Sequence, residues 1–368
     1  MNRNKIKYCR LCVIPSSKPN IGFSKDGFCD ACLFHKRKNN FKKGINWKKR
    51  KKEFDVLINN IKKKKSQLYD AAVPVSGGKD SITQVHYLLK KKLRVLAINI
   101  DYGFKTPIGH HNLSLIPKMG ASLITFRPNL KIHKKVLKIS FVKYGDPDLM
   151  SHCMLHALPI KIAIDLGIPL ILLGENSAFE YSGEKGYNEK KITHKWFNRY
   201  ASVGNLTPDR FSKLNKINYK DMAQYNLPSK RELSTIHPVF CSYFFKWDSE
   251  VNLKIAKKYG FKTLKTNQEG TYRNYHGIDE KINRIHQYLK FLKFGYGRAT
   301  DHACEDIRNK RISRKKALQL VLKYDRSKIS KFFYKDFIDL IGISEKTFFQ
   351  ICNKFTQKNI SNQIKKIK

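Results

Sequence analysis

The sequence lacks any apolar run long enough to span a membrane. No window approaches the roughly 18 to 20 consecutive apolar residues that a transmembrane helix needs, and the first residues lack the apolar core of a secretory signal. These absences predict a cytosolic protein with no membrane span. In that reducing compartment, the eight cysteines are not expected to form disulfides.

Acidic residues are also scarce. The 368 residues include 29 Asp and Glu against 74 Lys and Arg, which gives a formal net charge of +45. Such an excess favours an anionic partner such as a nucleic acid or a membrane surface. The excess is mostly lysine spread over the whole chain, beside many Ile, Asn, Phe and Tyr, and an AT-rich genome produces the same composition. Charge alone therefore decides little.

The GxxxxGK[ST] loop of kinases and GTPases is missing, but a different glycine turn, SGGKDS, lies at Ser76–Ser81. It follows a predicted strand and opens a predicted helix from about Lys79. The adjacent Gly77 and Gly78 permit a tight turn whose N–H groups converge on an anion, and the positive end of the helix points to the same place. This turn is predicted to hold the phosphates of a nucleotide. It resembles the PP-loop of ATP pyrophosphatases, which hold the pyrophosphate of ATP and transfer AMP to a substrate oxygen.

Strand and helix patterns alternate around this turn. Strands are predicted at Ala71–Val75, Arg94–Ile100, Ser122–Phe126 and Leu170–Leu173, with a helix over Ile160–Leu166. The alternation predicts an α/β fold in which helices wrap a parallel sheet, a Rossmann-like PP-loop domain. Ligands bind such sheets at the carboxyl ends of the strands, where Ser76–Ser81, Asp101 and Glu175 all lie.

Four cysteines near the start of the chain have the spacing of a zinc ribbon. Cys9 and Cys12 form one CxxC pair, Cys29 and Cys32 form another, and 16 residues separate the pairs. Each pair forms a knuckle that aims two sulfurs at one point. We expect a structural Zn²⁺ site, because four thiolates leave no open coordination position. An iron–sulfur cluster or a redox role is the alternative.

These patterns divide the chain into four regions. We predict a zinc-ribbon-like segment over residues 1–45, a linker helix over 46–69, a PP-loop domain over 70–300 with an insertion at about 177–235, and a helical C-terminal region over 301–368. The linker has an apolar stripe typical of a helix packed against the next domain. After the insertion, strand and helix are predicted to alternate again at Ile236–Phe245 and Ser249–Tyr259, and a helix is predicted over Glu305–Tyr324.

The chain as a whole resembles the N-acetyl sugar amidotransferases, the WbpG- and PseA-like group of surface-polysaccharide and flagellin-glycan biosynthesis. The matching motifs are Tyr8–Val13, Gly27–Cys32, Val73–Ser81, Pro169–Asn176 with Glu180-Tyr181, and Phe294–His302. Many enzymes share the PP-loop. The combination of the C-terminal motif with the N-terminal cysteines is much more specific.

The resemblance implies an ATP-dependent conversion of a sugar's acetamido group to an acetamidino group. The amide oxygen attacks the α-phosphate of ATP and gives an O-adenylyl imidate and pyrophosphate; ammonia then adds at the imidate carbon and AMP leaves. In this scheme Ser76, Gly77, Gly78, Lys79 and Ser81 hold the pyrophosphate, and Asp80 positions Mg²⁺.

Other polar residues are candidates with less specific roles. Asp101 is a candidate ribose or metal ligand, and Glu175 is a candidate for metal or ammonia handling. A carboxylate after a strand is a helix cap about as often as a ligand. Arg298, Asp301 and His302 are candidates for binding the sugar or its anionic group, with a capped helix start as the alternative.

Ammonia needs a source, and the chain shows no convincing glutaminase triad. Cys153 lies between His152 and His156, which suggests a nucleophile, but its neighbours fall in the first turn of a predicted helix, and this favours a structural role. The resemblance implies a separate glutamine amidotransferase subunit that supplies ammonia.

Two other classes of function compete with this one. A tRNA-modifying PP-loop enzyme adenylates a base oxygen and replaces it with sulfur or nitrogen, and both the charge and the zinc ribbon suit an RNA substrate. A binding protein that has kept a nucleotide fold without catalysis is disfavoured, because the motif Ser76–Ser81 is complete.

Overall fold

The fold is built on a central parallel sheet. The computed structural model describes residues 6–40, 44–63, 68–182, 189–202 and 205–357. The five strands are β1 Ala71–Val75, β2 Val95–Ile100, β3 Ser122–Phe126, β4 Leu170–Leu173 and β5 His237–Phe240. All neighbours run parallel in the order β3-β2-β1-β4-β5. The predicted α/β class and parallel sheet are confirmed, and β1 lies at the centre.

The helices of the first half of the chain precede β1 or connect the strands. They are α1 Asp30–Lys38, α2 Trp47–Lys63, α3 Lys79–Leu89, α4 Pro107–Leu113, α5 Leu115–Lys118, α6 Leu130–Tyr144 and α7 Leu149–Asp165. The predicted helix Ile160–Leu166 is thus the last part of α7, which continues through Pro159.

The helices of the second half lie in and after the insertion. They are α8 His194–Trp196, α9 Pro208–Asn215, α10 Lys230–Ser234, α11 Cys241–Phe244, α12 Ser249–Lys257, α13 Ile282–Phe294, α14 Arg298–Arg308, α15 Arg314–Tyr324, α16 Lys331–Ile341 and α17 Glu345–Lys354. Two π-helical turns, Ala178–Ser182 and Phe197–Ala201, and a 3₁₀ turn, Lys220–Tyr225, complete the described part of the insertion.

Two layers of helices cover the sheet. Alternate residues of a strand point to opposite faces, so Val73 and Val75 of β1 pack with α2, α3 and α12, whereas Ala72 packs with the layer that contains α6, α7 and α13. Both faces are therefore buried, as is usual for parallel strands. This leaves the carboxyl ends of the strands as the edge at which a ligand can enter.

The N-terminal cysteines pack against the C-terminal helices. Cys9, Cys12, Cys29 and Cys32 share a buried cluster with Ala303 and Cys304 of α14 and Ala317 of α15. Arg314, the first residue of α15, donates hydrogen bonds to the carbonyl oxygens of Cys9 and Cys12 at 3.4 and 3.2 Å. The cysteine segment is thus held against α14 and α15.

The C-terminal half contains the predicted alternation of strand and helix but differs from the predictions in two bounds. β5 and α12 lie within the predicted segments Ile236–Phe245 and Ser249–Tyr259, β5 pairs with β4 in the central sheet, and the strand ends at Phe240, where α11 follows it. The predicted helix Glu305–Tyr324 is two helices, α14 and α15, and α14 begins at Arg298, before the boundary predicted at residue 301. None of the described helices is both long and apolar enough to cross a bilayer.

The apolar stripe of α2 generates a stability prediction. Phe54 is fully buried, with its ring centroid 5.0 Å from that of Phe244. We expect Phe54→Ala to lower the free energy of unfolding by about 3–5 kcal/mol, because it removes apolar contacts and leaves a cavity. Val56 lies on the same helix and is 60% exposed, so Val56→Ala is the matched control. Equal urea midpoints for the two variants would contradict the packing of α2.

Candidate functional site

The Ser76–Ser81 loop joins β1 to α3 as a tight, internally bonded turn. Gly77 has a φ of +92°, a region that favours glycine. The N–H of Gly78 donates to Ser76 Oγ at 3.2 Å, and the N–H of Ser76 donates to Ser81 Oγ at 3.0 Å. The loop is held against the N-terminus of an 11-residue helix, so its geometry suits the binding of phosphate oxygens.

Two other backbone segments press against this loop. A Cβ added at Gly77 would lie 2.6 Å from the carbonyl oxygen of Gly109, and a Cβ added at Gly109 would lie 2.4 Å from that of Asp279. The N–H of Thr106 also donates to the Asp279 carbonyl at 3.0 Å. Glycine is therefore required at both positions for the three segments to stack.

Lys79 and Asp80 form an ion pair at the start of α3. The Lys79 side chain is 2% exposed, and its Nζ lies 2.7 Å from Asp80 Oδ2. Asn252 Nδ2 donates to the other carboxylate oxygen of Asp80 at 2.7 Å. The carboxylate is thus oriented by two partners, next to the loop.

Glu175 follows β4, the neighbour of β1, and lies close to Asp80. Burial raises the pKa of the Glu175 carboxyl, and the negative charge of Asp80 raises it further. Mg²⁺ binds one or two carboxylates when nucleotide phosphates and water supply its remaining ligands. The loop and this carboxylate pair therefore fit a magnesium-bound nucleotide.

Asp101 lies at the end of β2 and is already paired. Its Oδ1 accepts from the N–H of Gly103 at 2.9 Å, and its Oδ2 accepts from Arg127 Nε at 3.0 Å. Burial alone would raise the pKa of Asp101, but these two hydrogen bonds bring it below its ordinary value. Asp101 is therefore ionised, and its role as a ribose or metal ligand stays a prediction.

The C-terminal motif forms the start of α14, which is capped from outside. Asp325 accepts hydrogen bonds from the N–H groups of Gly297, Ala299 and Thr300 at 2.9, 2.8 and 3.2 Å. Burial raises the pKa of this carboxyl to about 6. The motif therefore forms a capped helix start, which the sequence analysis gave as the alternative to sugar binding.

The three residues of that motif that were predicted to bind the sugar make different contacts. Asp301 pairs with Lys290 Nζ at 2.5 Å. His302 Nδ1 is 2.6 Å from the hydroxyl of Thr271. His302 Nε2 and Arg298 Nε are buried and have no hydrogen-bond partner among the described residues. Buried polar atoms without partners are rare, so these two nitrogens are available to a ligand.

Sequence reasoning missed two further residues here. The His276 ring lies 4.3 Å from that of His302, and burial, followed by the charge of Lys79, holds the pKa of His276 well below its ordinary value. Lys105 Nζ donates to the carbonyl oxygen of Ser76 at 2.9 Å and pairs with Glu280 at 2.7 Å. Neither residue belongs to a recognisable motif, because segments distant in sequence bring them to the loop.

The four cysteines converge on one point. Their sulfurs all lie within 4.8 Å of one another, and Cys12 Sγ is 3.7 Å from Cys29 Sγ. A tetrahedral Zn²⁺ with bonds of about 2.3 Å places its sulfurs about 3.8 Å apart, so the cluster fits zinc. Arg308 lies beside the cluster, and the negative charge of neighbouring cysteines raises its pKa even though burial opposes this. Its charge offsets part of the excess negative charge of four thiolates around a divalent ion.

The surroundings of Cys153 fit the structural role that the sequence favours for it. Its sulfur lies 3.3 Å from the carbonyl oxygen of Ala201, and burial raises the pKa of the thiol to about 12. A nucleophilic cysteine needs a low pKa and access to substrate. Cys153 has neither, since it is fully buried.

Comparison with known proteins agrees with the resemblance. Residues 269–368 match the family described as "LPS biosynthesis protein WbpG-like, C-terminal domain", so the resemblance to the WbpG-like group is confirmed. A comparison with curated protein sequences finds no match.

Similar solved structures include a predicted tRNA methyltransferase subunit from Methanocaldococcus jannaschii DSM, with 12% identity over 60% of this chain and 86% of that chain and a TM-score of 0.29. They also include NMN synthetase from Francisella tularensis, with 11% identity over 66% of this chain and 93% of that chain and a TM-score of 0.29.

The cysteine cluster yields a metal-content prediction. We expect the double variant Cys9→Ser with Cys29→Ser to lose most of its bound zinc and to melt at a lower temperature, because binding contributes folding free energy to a small segment. Elemental analysis of the purified protein measures the zinc. Cys352→Ser is the control, since Cys352 lies on α17, outside the cluster. Unchanged zinc in the double variant would rule out this site.

Proposed function

We propose that the protein is an ATP-dependent amidotransferase that converts an acetamido group of a bacterial surface sugar, such as a nonulosonic acid or an acetamido uronic acid, into an acetamidino group. The reaction would take place in the cytoplasm and use ammonia from a separate glutaminase subunit. The observation that carries the proposal is the meeting of the Ser76–Ser81 loop with the WbpG-like segment 269–368. Two nitrogens of that segment, His302 Nε2 and Arg298 Nε, have no hydrogen-bond partner among the described residues and would bind the nucleotide.

The loop would bind the β- and γ-phosphates of ATP. The hydroxyls of Ser76 and Ser81 accept hydrogen bonds within the loop at the N-terminus of α3 and would donate their own hydrogens to phosphate oxygens, and Lys79 adds a positive charge. Asp80 and Glu175 would hold Mg²⁺, which neutralises phosphate charge. As the α-phosphate is transferred, negative charge grows on the departing pyrophosphate, and fixed donors at that position stabilise it.

Arg298 and His302 are suited to the reacting end of the nucleotide. The hydroxyl of Thr271 accepts from the N–H of Arg273 at 3.2 Å, and we assign its own hydrogen to His302 Nδ1. The ring then carries its proton on Nε2, the atom that has no partner within the described structure. Burial, followed by the charge of Arg273, lowers the pKa of His302 well below its ordinary value, so it would act as a neutral donor to an anionic oxygen.

The reaction forms two covalent bonds and breaks two. The amide oxygen of the sugar forms a bond to the α-phosphorus while the bond to the pyrophosphate oxygen breaks. Ammonia then forms a bond to the imidate carbon, the carbon–oxygen bond to AMP breaks, and ammonia gives up protons as the neutral amidine forms. If Asp80 and phosphate oxygens hold Mg²⁺ without Glu175, the Glu175 carboxylate would instead accept one of these protons, a role that its raised pKa suits.

The rival substrate is tRNA. A PP-loop enzyme that thiolates a base needs an exposed cysteine near the loop, but Cys153 and Cys241 are both buried and burial raises the pKa of Cys153 to about 12. Amination of a base does not need a cysteine, so the assay below includes tRNA.

The nucleotide site generates a mutational prediction. Lys79→Met and Asp80→Asn keep the size of the side chains, and we expect each to lower pyrophosphate release by about 100-fold or more, because each removes charge from the phosphate site. Lys90→Ala is the control, since Lys90 is an exposed lysine after the same helix. Melting temperatures of all variants report on folding. Full activity in a folded Lys79→Met variant would refute the site.

The substrate class is tested by pyrophosphate release from ATP with Mg²⁺ and excess ammonium. We expect release to depend on an acetamido sugar and to be unaffected by bulk tRNA. Mass spectrometry should show the small mass decrease that accompanies replacement of the amide oxygen by NH. Release that requires tRNA and ignores every sugar would instead establish the RNA-modifying class.

A further inference from the structure

A cavity between the N-terminal segment, the start of α7 and the loop before α14 has no role in the steps above. Its volume is about 350 Å³, and its walls include Lys18 to Asn20, Asp148 and His152 at the start of α7, and Tyr296. Known ligand pockets span about 300 to 1,000 Å³, so this cavity is at the small end of that range. It has room for one small ring compound.

The cavity is adjacent to the proposed reaction centre along the chain. Ser177 lines it and lies two residues after Glu175, while Tyr296 lines it and lies two residues before Arg298. Glu175 and Arg298 are therefore close along the chain to residues of the cavity wall, and the charge of Arg298 acts on Asp148, which lines the cavity.

One wall comes from the zinc ribbon. Residues 18–20 form the turn between the two cysteine pairs, which we call the ribbon tip. Ser17 Oγ donates to the carbonyl oxygen of Phe294 at 2.5 Å, and Lys18 Nζ donates to that of Tyr181 at 3.0 Å. The cysteine cluster fixes the base of the ribbon, and these bonds fix its tip.

The polar groups of the cavity distinguish between ligands. Asp146 pairs with His286 Nδ1 at 2.8 Å, and Asp148 lies on the same wall. Two carboxylates oppose the binding of a diphosphate or an RNA backbone, whereas carboxylates and imidazoles are good partners for hydroxyl groups. Tyr200 and Tyr296 also line the cavity, and aromatic rings are large apolar groups against which a sugar ring can pack. Lys18 is a single cation, enough for one carboxylate.

We propose that this cavity binds one acetamido sugar ring, bearing at most one carboxylate and no nucleotide, with the ribbon tip as part of the acceptor site. The inference rests on the proposed function and adds to it the location and the chemical form of the acceptor. It also gives the zinc ribbon a role in substrate binding, because the tip can keep its position only if its base is folded.

The test compares variants of the cavity with a matched surface variant. Free N-acetylglucosamine, N-acetylneuraminic acid and UDP-N-acetylglucosamine are assayed by calorimetric binding and by ammonium-dependent pyrophosphate release. Lys18→Ala and Asp148→Asn are compared with Lys25→Ala, which alters an exposed lysine of the same ribbon. ATP binding, measured separately, reports whether the nucleotide site is intact.

We expect both cavity variants to weaken binding of a free acetamido sugar and raise its KM by about tenfold, since each removes a charged hydrogen-bond partner. ATP affinity should stay unchanged, and Lys25→Ala should behave like the native protein. If a sugar is turned over but the cavity variants leave its KM unchanged, or if UDP-N-acetylglucosamine binds better than the free sugars, this inference is wrong and the proposed function stands. If no acetamido sugar binds or is turned over, the proposed function fails and this inference fails with it.

Discussion

The proposed nucleotide site depends on a close stack of three backbone segments. The loop at Gly77, the start of α4 at Gly109 and the chain at Asp279 approach so closely that a single added Cβ at either glycine would meet backbone atoms at 2.6 or 2.4 Å. Backbone cannot move aside as a flexible side chain can, and protein interiors have little free volume. The shape of the phosphate loop is therefore set by the segment around Asp279, which lies some 200 residues further along the chain. For this reason the sheet alone does not form the site.

The WbpG-like segment completes that arrangement and also connects it to the cysteines. The Asp325 carboxylate caps the start of α14 with three backbone hydrogen bonds, which fixes the position of Arg298. The same helix contributes Ala303 and Cys304 to the core shared with the ribbon. Helix α14 thus begins at the proposed nucleotide site, and one of its sides packs against the proposed zinc cluster. A structural metal is consistent with this arrangement, because loss of the ribbon would uncover the packed side of α14.

Short sequence patterns predicted those parts of the structure that depend only on residues close together in the chain. The strands β1 to β4, the glycine turn and the cysteine pairs each have a short pattern with a direct physical cause, and the structure contains all of them. The fifth strand lies within the predicted segment Ile236–Phe245, but its end at Phe240 was not predicted, because apolar and aromatic residues continue into α11. His276 and Lys105 could not be predicted, since their position at the site comes from long-range stacking. The need for glycine at position 109 could not be predicted either, because it arises from the close approach of the Asp279 backbone and not from neighbours in the sequence.

The protonation of the two site histidines follows from the charges that surround them. Burial disfavours the imidazolium of His276, and the cations of Lys79 and Arg298 disfavour it further. Both histidines are therefore neutral before a nucleotide arrives, and each has one ring N–H to donate. In the proposed reaction, the cationic charge for pyrophosphate would come from Lys79 and Arg298 instead. A bound polyphosphate would oppose the effect of these cations on His276 and His302, because a nearby anion favours the charged imidazole. The positive charges that keep the histidines neutral in the free protein are thus the same charges that the proposed reaction uses.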